Sequence, residues 1–172
     1  SQSQLSESLV DEAYEETDGL AYLVSMWVET CGTGNALIYG KAANRIFWWK
    51  TEEQKEWIRS AAFKDYYDQD FLAVMLGCEQ AQNAFDWLRE CHEVTRTSVE
   101  NLNKFQLHTI VRRIITEATQ QQSEDAFQRY TDRARLYEDV HRLFPNISDR
   151  EKVINLSIFE HFNQVALENI YP

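Results

Sequence analysis

Apolar side chains recur every three to four positions along most of this 172-residue chain, which is the spacing that places them on one face of an α-helix. Residues that break helices are rare, with two prolines and five glycines in the whole sequence. No segment shows the strict alternation of apolar and polar residues that is typical of a half-buried strand. The pattern therefore predicts an all-α protein that folds as a single-domain bundle of about seven or eight helices.

The same stripes of apolar residues give approximate bounds for the helices. We expect a flexible N-terminus over residues 1–8, a single helical domain over residues 9–172 and a hinge near residues 119–123. A Thr51-x-x-Gln54 pattern predicts a capping box at the start of one helix, because each side chain can accept a hydrogen bond from the backbone of the other. The predicted helices lie at about 9–30, 35–49, 51–62, 71–76, 80–91, 98–119, 123–144 and 148–170.

Negative charge is concentrated towards the N-terminal end of the sequence. The formal net charge is −11 at pH 7, and seven acidic residues precede Lys41, the first basic one. Because phosphate backbones are bound by Lys and Arg that displace counterions, this balance disfavours nucleic acid as a partner. The acidic segment forms either an ordinary solvated face, a docking surface for a basic partner or a nucleic-acid mimic. Its candidate partner-binding residues are Asp11, Glu12, Glu15 and Glu16.

Composition also disfavours several classes of protein. The sequence has no run of 18 or more apolar residues, so no membrane partner is expected, and it does not start with a basic region followed by an apolar stretch. Three cysteines at irregular spacing indicate thiols in a reducing compartment, and we expect a cytoplasmic location. Cys78, Cys91 and His92 lack the paired spacing of a zinc site, so neither a metal nor a cofactor is predicted.

Residues 70–89 have the layout of a helix-turn-helix segment, with Ala73 where two helices would cross and Gly77 at the turn. The second helix would present three amides that can pair with adenine edges and one arginine for phosphates, namely Gln80, Gln82, Asn83 and Arg89. Asp86 and Glu90 share that helix and oppose phosphate binding. The pattern favours packing or partner contact, with DNA contact as the alternative.

Residues 36–90 contain a set of short motifs, namely Ala42-Ala43, Trp57-Ile58-Arg59-Ser60, Asp70-Phe71-x-x-Val74 and Leu88-Arg89. These motifs resemble those of small helical accessory proteins of tailed phages and prophages. The resemblance covers residues 36–90, about a third of the chain, and Met75 stands where these proteins have Cys. Their usual Gly-Leu-Asp-Pro turn is absent. The resemblance implies a phage or prophage accessory role in a setting such as DNA packaging, with no known chemistry. For a phage-encoded protein, the expected location is the host cytoplasm.

Aromatic residues cluster at Phe47-Trp48-Trp49 and again at Tyr66-Tyr67. Consecutive residues of a helix project about 100° apart, so three adjacent aromatic side chains cannot all face one core. At least one of Trp48 and Trp49 is therefore expected on the surface, unless a neighbouring helix or the connector at 64–70 covers it. Since exposed Trp and Tyr are favoured interface anchors, the candidate partner-binding residues are Trp48, Trp49, Tyr66 and Tyr67.

Arg135 and His141 resemble the Arg-x(4–6)-His signature of HEPN ribonucleases, which cleave RNA without a metal. The resemblance implies that arginine stabilises charge on the phosphate while histidine transfers a proton, usually in a dimer. Leu136 departs from the family, which prefers a polar residue directly after the arginine. The structural alternative is that the arginines of this segment form surface ion pairs, with Glu138 and Arg142 suitably spaced at i, i+4.

The sequence favours a non-enzymatic helical interaction or adaptor protein of phage or prophage type, with a role in assembly, packaging or host interaction. Its expected partner is a protein or a second copy of the chain. Two alternatives stay open. One is an oligomeric DNA-contacting protein of the small packaging-subunit type, and the other is a HEPN-like ribonuclease that uses Arg135 and His141.

Overall fold

The computed structural model describes residues 7–30, 36–97 and 104–143, and these residues are mostly helical. They form eight α-helices and one short antiparallel hairpin, so the prediction of an all-α bundle is confirmed. The elements are α1 (Glu7–Thr17), α2 (Ala21–Thr30), α3 (Ala36–Phe47), α4 (Glu52–Ala62), α5 (Gln69–Leu76), α6 (Cys78–Glu90), β1 (Thr95–Thr97), β2 (Phe105–Leu107), α7 (Thr109–Gln122) and α8 (Glu124–Leu143). Of the flexible N-terminus predicted over residues 1–8, residues 1–6 lie outside the described residues, and Glu7 and Ser8 already belong to α1. The predicted helix over 148–170 also lies outside the described residues.

The acidic N-terminal segment forms two helices, so the prediction of one continuous helix over 9–30 is wrong. The chain turns at Asp18 and Gly19, whose φ angles of 50° and 70° lie in the left-handed region. The Thr17 hydroxyl accepts a hydrogen bond from the Gly19 amide at 3.2 Å and so helps to close the end of α1. Because the turn separates α1 from α2, Leu20 is exposed rather than buried, and Val28 also lies on the outer side of α2.

Two helix starts follow side-chain caps that the sequence contains. The Thr51 hydroxyl accepts the Gln54 amide at 3.2 Å, and the Gln54 side chain accepts the Thr51 amide at 3.0 Å. The predicted capping box is therefore confirmed, and it fixes where α4 begins. Ser123 accepts the Ala126 amide at 3.2 Å. The break expected near residues 119–123 falls at Ser123, after α7 has continued through Gln122.

The helix-turn-helix-like segment is formed by α5 and α6, which are joined at Gly77. Gly77 has a φ of 93°, which a residue with a side chain adopts only under strain. Its amide donates to the Ala73 carbonyl at 2.9 Å and closes α5. Small buried residues, Ala73, Ala81 and Ala84, lie in this region, where the two helices pack closely against each other. The segment thus contributes directly to the core.

A short hairpin occupies the place where a helix is predicted to start at residue 97 or 98, and that prediction is wrong. In β2 the buried Phe105 and Leu107 alternate with the partly exposed Gln106, which is the period of a strand. Tyr67 extends the pairing, because its amide donates to the Phe105 carbonyl at 2.7 Å and its carbonyl accepts the Phe105 amide at 2.9 Å. The hairpin therefore joins the connector after α4 to the start of α7.

Helix α7 lies at the centre of the described structure and packs against α1, α2, α3, α4 and α8. Its buried residues recur at helical spacing and are Ile110, Val111, Ile114, Ile115 and Thr119. The rest of the core includes Leu23, Met26, Ile58, Phe71, Leu72, Met75 and Leu88. Within the described residues, no helix is both long enough and apolar enough to cross a membrane.

Candidate partner-binding surface

The loop between α3 and α4 carries two exposed tryptophans, and we name these side chains, Trp48 and Trp49, the Trp48–Trp49 corner. Phe47 ends α3 and is buried, with the Arg59 guanidinium 4.8 Å from its ring centroid. Trp48 and Trp49 follow it and are 84% and 61% exposed. The expectation that at least one of these two indoles lies on the surface is confirmed. Because α4 begins at Glu52, the corner lies between two helix ends that define its position.

Trp49 rests against a buried lysine. The Lys50 side chain is 1% exposed, and its Nζ lies 2.8 Å from Glu93 Oε1. The same ammonium lies 4.8 Å from the centroid of the Trp49 ring and 5.8 Å from that of Trp87, so both rings attract the cation. The Tyr22 ring contacts Trp49 with 6.3 Å between centroids. These contacts orient Trp49 in advance, which lowers the entropy cost of using it in an interface.

The ionisable groups beneath the corner are adjusted by burial and by Lys50. Burial raises the pKa of Glu93, but the hydrogen bond and the charge of Lys50 outweigh it, and the net pKa is lowered. Burial, together with the Glu93 charge, raises the pKa of the Cys91 thiol to about 11. Burial also raises the pKa of Tyr22. At neutral pH the Glu93 carboxylate is therefore ionised, whereas the Cys91 thiol is protonated and unreactive.

The basic groups that flank the corner in the sequence are paired with carboxylates. Within the described residues these ion pairs are Arg45–Glu29 at 2.7 Å, Lys50–Glu93 at 2.8 Å and Lys55–Glu52 at 2.6 Å. Glu53 is exposed and adds one more negative charge next to the corner. Among these groups the carboxylates outnumber the basic side chains by four to three.

The two tyrosines that were grouped with the tryptophans lie elsewhere. Tyr66 is 48% exposed but lines a separate groove beside Arg112. Tyr67 is fully buried, its hydroxyl lies 2.8 Å from Thr95 Oγ1, and burial raises its pKa. Successive residues of an extended segment project to opposite sides, so only one of the two can face solvent. Tyr67 is therefore wrong as a partner-contact residue.

The acidic face of α1 is divided between solvent and the protein itself. Asp11, Glu12 and Glu15 are exposed. The Glu16 side chain is only 15% exposed, and its Oε2 lies 3.0 Å from Arg113 Nη2 on α7. Glu16 is therefore wrong as part of a docking face, because an internal ion pair occupies it. The three exposed carboxylates stay candidates for partner contact.

Asp18 ties the turn after α1 to the hairpin and to the start of α7. Its Oδ1 lies 3.0 Å from Arg96 Nη1, and its Oδ2 lies 3.6 Å from Nδ1 of the buried His108. Burial lowers the pKa of His108, although the hydrogen bond to the His92 carbonyl and the Asp18 charge oppose this. Asp18 and Glu16 therefore both link the N-terminal segment to basic residues in the rest of the fold.

Helix α6 presents the amides considered for DNA contact, and the structure exposes all three, Gln80, Gln82 and Asn83. The Gln82 amide donates to Asp86 Oδ2 at 2.6 Å. Arg89 lies 3.6 Å from Asp86 Oδ1 and 3.9 Å from Glu90 Oε1. The one arginine of this helix is thus neutralised by its own carboxylates. DNA contact through α6 stays a prediction that the local charges disfavour.

Arg135 and His141 both lie on α8, Arg135 exposed and His141 half-buried. A separation of six residues rotates the side chain by about 120° relative to the helix axis, so the two project from different faces. The His141 ring lies 4.1 Å from the Tyr137 ring, centroid to centroid. Glu138, expected to pair along its own helix, pairs with Lys64 at 2.9 Å. The structure gives no contact between Arg135 and His141 that would support catalysis, and the ribonuclease stays a prediction.

A cationic groove that the sequence did not predict lies around Tyr66. Two cavities, of about 790 Å³ and about 280 Å³, meet along residues shared by both, namely Asp65, Tyr66, Thr109 and Arg112. We name this pair of cavities the Tyr66 groove. Its basic lining residues are Lys64, Arg96, Lys104, Arg112 and Arg113. They come from separate parts of the chain, and only the adjacent pair on α7 gives any signal in the sequence.

Known proteins give no guidance about these surfaces, since no family model, no curated protein and no solved structure matches the chain. Across residues 7–30, 36–97 and 104–143, no group of three or more His, Cys, Asp and Glu side chains could hold a metal ion. The shape and charge of the corner and the groove are therefore what indicate the function of this protein.

Proposed function

We propose that this protein is a non-enzymatic adaptor that binds a basic protein partner through the Trp48–Trp49 corner. The observation that carries the proposal is the exposure of two adjacent indoles, 84% and 61%, at a junction between two helices. Contiguous exposed apolar surface marks interaction sites, and Trp is enriched among the residues that dominate binding energy. Because Lys50 and Tyr22 orient Trp49 before binding, less freedom is lost when a partner covers it.

The charge of the chain indicates the class of partner. The net charge is −11, and the cations that flank the corner are already paired with carboxylates. Two copies that met through this surface would bring like charges together, which is unfavourable. A basic partner could instead place Lys or Arg side chains over the indole faces. The exposed carboxylates of α1 would attract the same partner at longer range.

The biological setting that we propose is a phage or prophage accessory role, as the resemblance over residues 36–90 implies. Most residues that carry this resemblance are buried, including Ala42, Ile58, Phe71 and Leu88. They therefore concern how the bundle packs rather than which partner it binds. The proposal that the corner binds a partner does not rest on this resemblance, so it can be tested without any assumption about the source of the protein.

The test is capture of partners by the immobilised full chain from an extract of the source cells, followed by mass spectrometry. We expect the wild type to retain at least one basic protein, and Trp48→Ala or Trp49→Ala to reduce its retention about tenfold or more, as for interface hot spots. Tyr66→Ala is the matched control, because it removes an exposed aromatic ring outside the corner. Circular dichroism should show the same helical signal in all four proteins.

Two results would contradict the proposal. Equal retention of the basic protein by wild type and both tryptophan variants would show that the corner is not the contact surface. A native mass that rises with concentration in the wild type, but not in Trp48→Ala, would show that the corner binds a second copy instead of a basic partner. The ribonuclease alternative is checked by incubating the wild type and His141→Ala with RNA in chelator, where cleavage by the wild type alone would favour it.

A further inference from the structure

Positive charge gathers in the Tyr66 groove although the protein as a whole is strongly negative. The five basic residues of the groove come from the connector after α4, from the hairpin region and from α7. Three acidic residues, Asp65, Glu117 and Glu138, line the same groove, so its basic residues outnumber its acidic ones by five to three. A concave site with an excess of one sign of charge attracts ions of the opposite sign, even on a protein of unfavourable net charge. The groove is therefore a site where an anion can bind to an acidic protein.

An aromatic ring lies at the junction of the two cavities. Tyr66 is half exposed, and its hydroxyl accepts a hydrogen bond from the Gln106 amide at 3.3 Å when that amide is oriented to satisfy both of its neighbours. In this orientation the Gln106 oxygen also accepts from Arg96. The tyrosine is thus anchored through its hydroxyl, while part of its surface stays available to a ligand. Phe63 and Phe127 add apolar surface to the larger cavity.

The carboxylates that face these cations are weak competitors for an external anion. Arg112 pairs with Asp65, and Lys64 pairs with Glu138, but the two carboxylate side chains are 74% and 66% exposed. Exposed ion pairs contribute little to stability, so exchanging them for a better ligand is not costly. Lys104 forms no ion pair with the described residues. A phosphate can accept two parallel hydrogen bonds from Arg112, which strengthens binding beyond a single contact.

The protein's own N-terminal segment shows that basic residues of the groove accept anions. Glu16 binds Arg113 at 3.0 Å, and Asp18 binds Arg96 at 3.0 Å. These two carboxylates neutralise cations that line the larger and the smaller cavity respectively. Arg112 lines both cavities, and partial burial lowers its pKa, so its guanidinium gains from a strong anionic partner. The available anion site therefore centres on Arg112, beside Tyr66.

We propose that the Tyr66 groove binds a nucleotide, with its phosphate on Arg112 and Lys104 and its base stacked on the Tyr66 ring. Cations combined with an exposed ring are the chemistry that recognises phosphate and base together. The larger cavity, at about 790 Å³, has the size of a site for a small organic ligand. The nucleotide is either a free nucleoside phosphate or one unit of a single strand. A duplex is excluded as the ligand, because its bases are already stacked on each other.

The experiment measures fluorescence anisotropy with the full chain at low salt. The probes are labelled single strands of thymidine or uridine of about 12 nucleotides and a fluorescent ADP analogue, with inorganic phosphate as a competitor. We expect Arg112→Gln to weaken binding about tenfold and Lys104→Gln to weaken it less. Tyr66→Ala should also weaken binding about tenfold, whereas Tyr66→Phe, which keeps the ring, should stay within about twofold of the wild type.

Arg45→Gln is the matched control for charge, because Arg45 is a surface arginine in an ion pair and does not line either cavity. Binding of the ADP analogue as tight as that of the strands would support a free nucleotide, and binding of the strands alone would support a strand. The proposal is overturned if no probe binds at low salt. It is also overturned if Arg45→Gln weakens binding as much as Arg112→Gln, or if Tyr66→Ala binds like the wild type.

The nucleotide proposal and the adaptor proposal fail separately. Trp48→Ala should leave nucleotide binding unchanged, because Trp48 does not line the groove. Tyr66→Ala should leave partner capture unchanged for the corresponding reason. If Arg112→Gln does not fold, Lys104→Gln and Tyr66→Phe still test the groove, since the first changes an exposed side chain and the second removes only a hydroxyl.

Discussion

The Trp48–Trp49 corner and the Tyr66 groove combine aromatic rings with lysine and glutamate in opposite arrangements. In the corner the cation is buried beneath the rings, since Lys50 is 1% exposed and Trp48 is 84% exposed. In the groove the cations lie around a half-exposed ring; Lys104 is exposed, and the other basic side chains are partly exposed. The first arrangement leaves an apolar surface suited to a protein partner, and the second leaves a polar surface suited to an anion.

The ion pairs of the two regions differ in burial and not in the distance between their charged atoms. Lys50–Glu93 in the corner and Lys64–Glu138 beside the groove have nearly equal separations of 2.8 and 2.9 Å. The lysine of the first pair is excluded from water, whereas in the second pair Lys64 is partly exposed and Glu138 is largely exposed. Charges interact more strongly, and are more costly to leave unpaired, where water cannot reach them. The Lys50–Glu93 pair should therefore dominate the stability of its region.

The largest expected loss of stability comes from Glu93→Gln, which we compare with the corresponding change in the second pair, Glu138→Gln. Glu93→Gln leaves the Lys50 ammonium buried without its counter-charge, and we expect the free energy of unfolding to fall by about 2 kcal/mol. This is less than for a fully buried pair, because Glu93 is itself 38% exposed. Glu138→Gln should cost less than about 1 kcal/mol. Urea unfolding followed by circular dichroism measures both, and equal losses would remove the distinction between the two regions.

The same pair should respond to acid in a defined direction. The pKa of Glu93 in the folded protein lies below its ordinary value of 4.5, so its contribution to stability is complete above about pH 5 and is lost as the pH falls through the folded pKa. Cys91, with a pKa of about 11, does not titrate in this range. The difference in unfolding free energy between wild type and Glu93→Gln should therefore be constant from pH 7 to about pH 5 and shrink towards pH 3.

A difference between wild type and Glu93→Gln that grows on acidification would contradict this assignment. Glu138→Gln serves as the control, since the Lys64 hydrogen bond also lowers the pKa of Glu138 but does so at an exposed site. Its effect on stability should stay small at every pH. The comparison separates a buried charge pair from a hydrated one by a property that distance does not reveal.

The helical period predicted most of the fold, and it failed where local geometry outweighed the average pattern. The capping box at Thr51 and the break at Ser123 depend on neighbouring residues alone, and both were predictable. The turn at Gly19 and the strand at Phe105 were missed. Gly19 adopts a left-handed conformation that periodicity does not detect. Phe105 lies in a strand stabilised by pairing with Tyr67, which is distant in sequence.

Only those features of the candidate sites that depend on neighbouring residues in the sequence could be predicted. Three adjacent aromatic residues on a helix cannot all face one core, so exposure at Trp48 or Trp49 was expected from the sequence. The helix predicted over 35–49 ends at Phe47, however, and both indoles are exposed in the loop that follows. The burial of Tyr67 did not follow, because it depends on Thr95 and Phe105 across the hairpin. The Lys50–Glu93 pair and the Tyr66 groove each join residues more than forty positions apart. Such clusters exist only after the chain has folded.

The smallest expected difference in stability is the one between the variants Trp48→Ala and Trp49→Ala. Trp48 makes no aromatic or cation contact within the described residues, so Trp48→Ala should change the free energy of unfolding by less than about 0.5 kcal/mol. Trp49 contacts Lys50 and Tyr22, and Trp49→Ala should cost about 1 kcal/mol. Thermal and urea unfolding of the two variants measure this difference. If Trp48→Ala is as destabilising as Trp49→Ala, then Trp48 has a structural role, and its exposure loses its value as a sign of a partner.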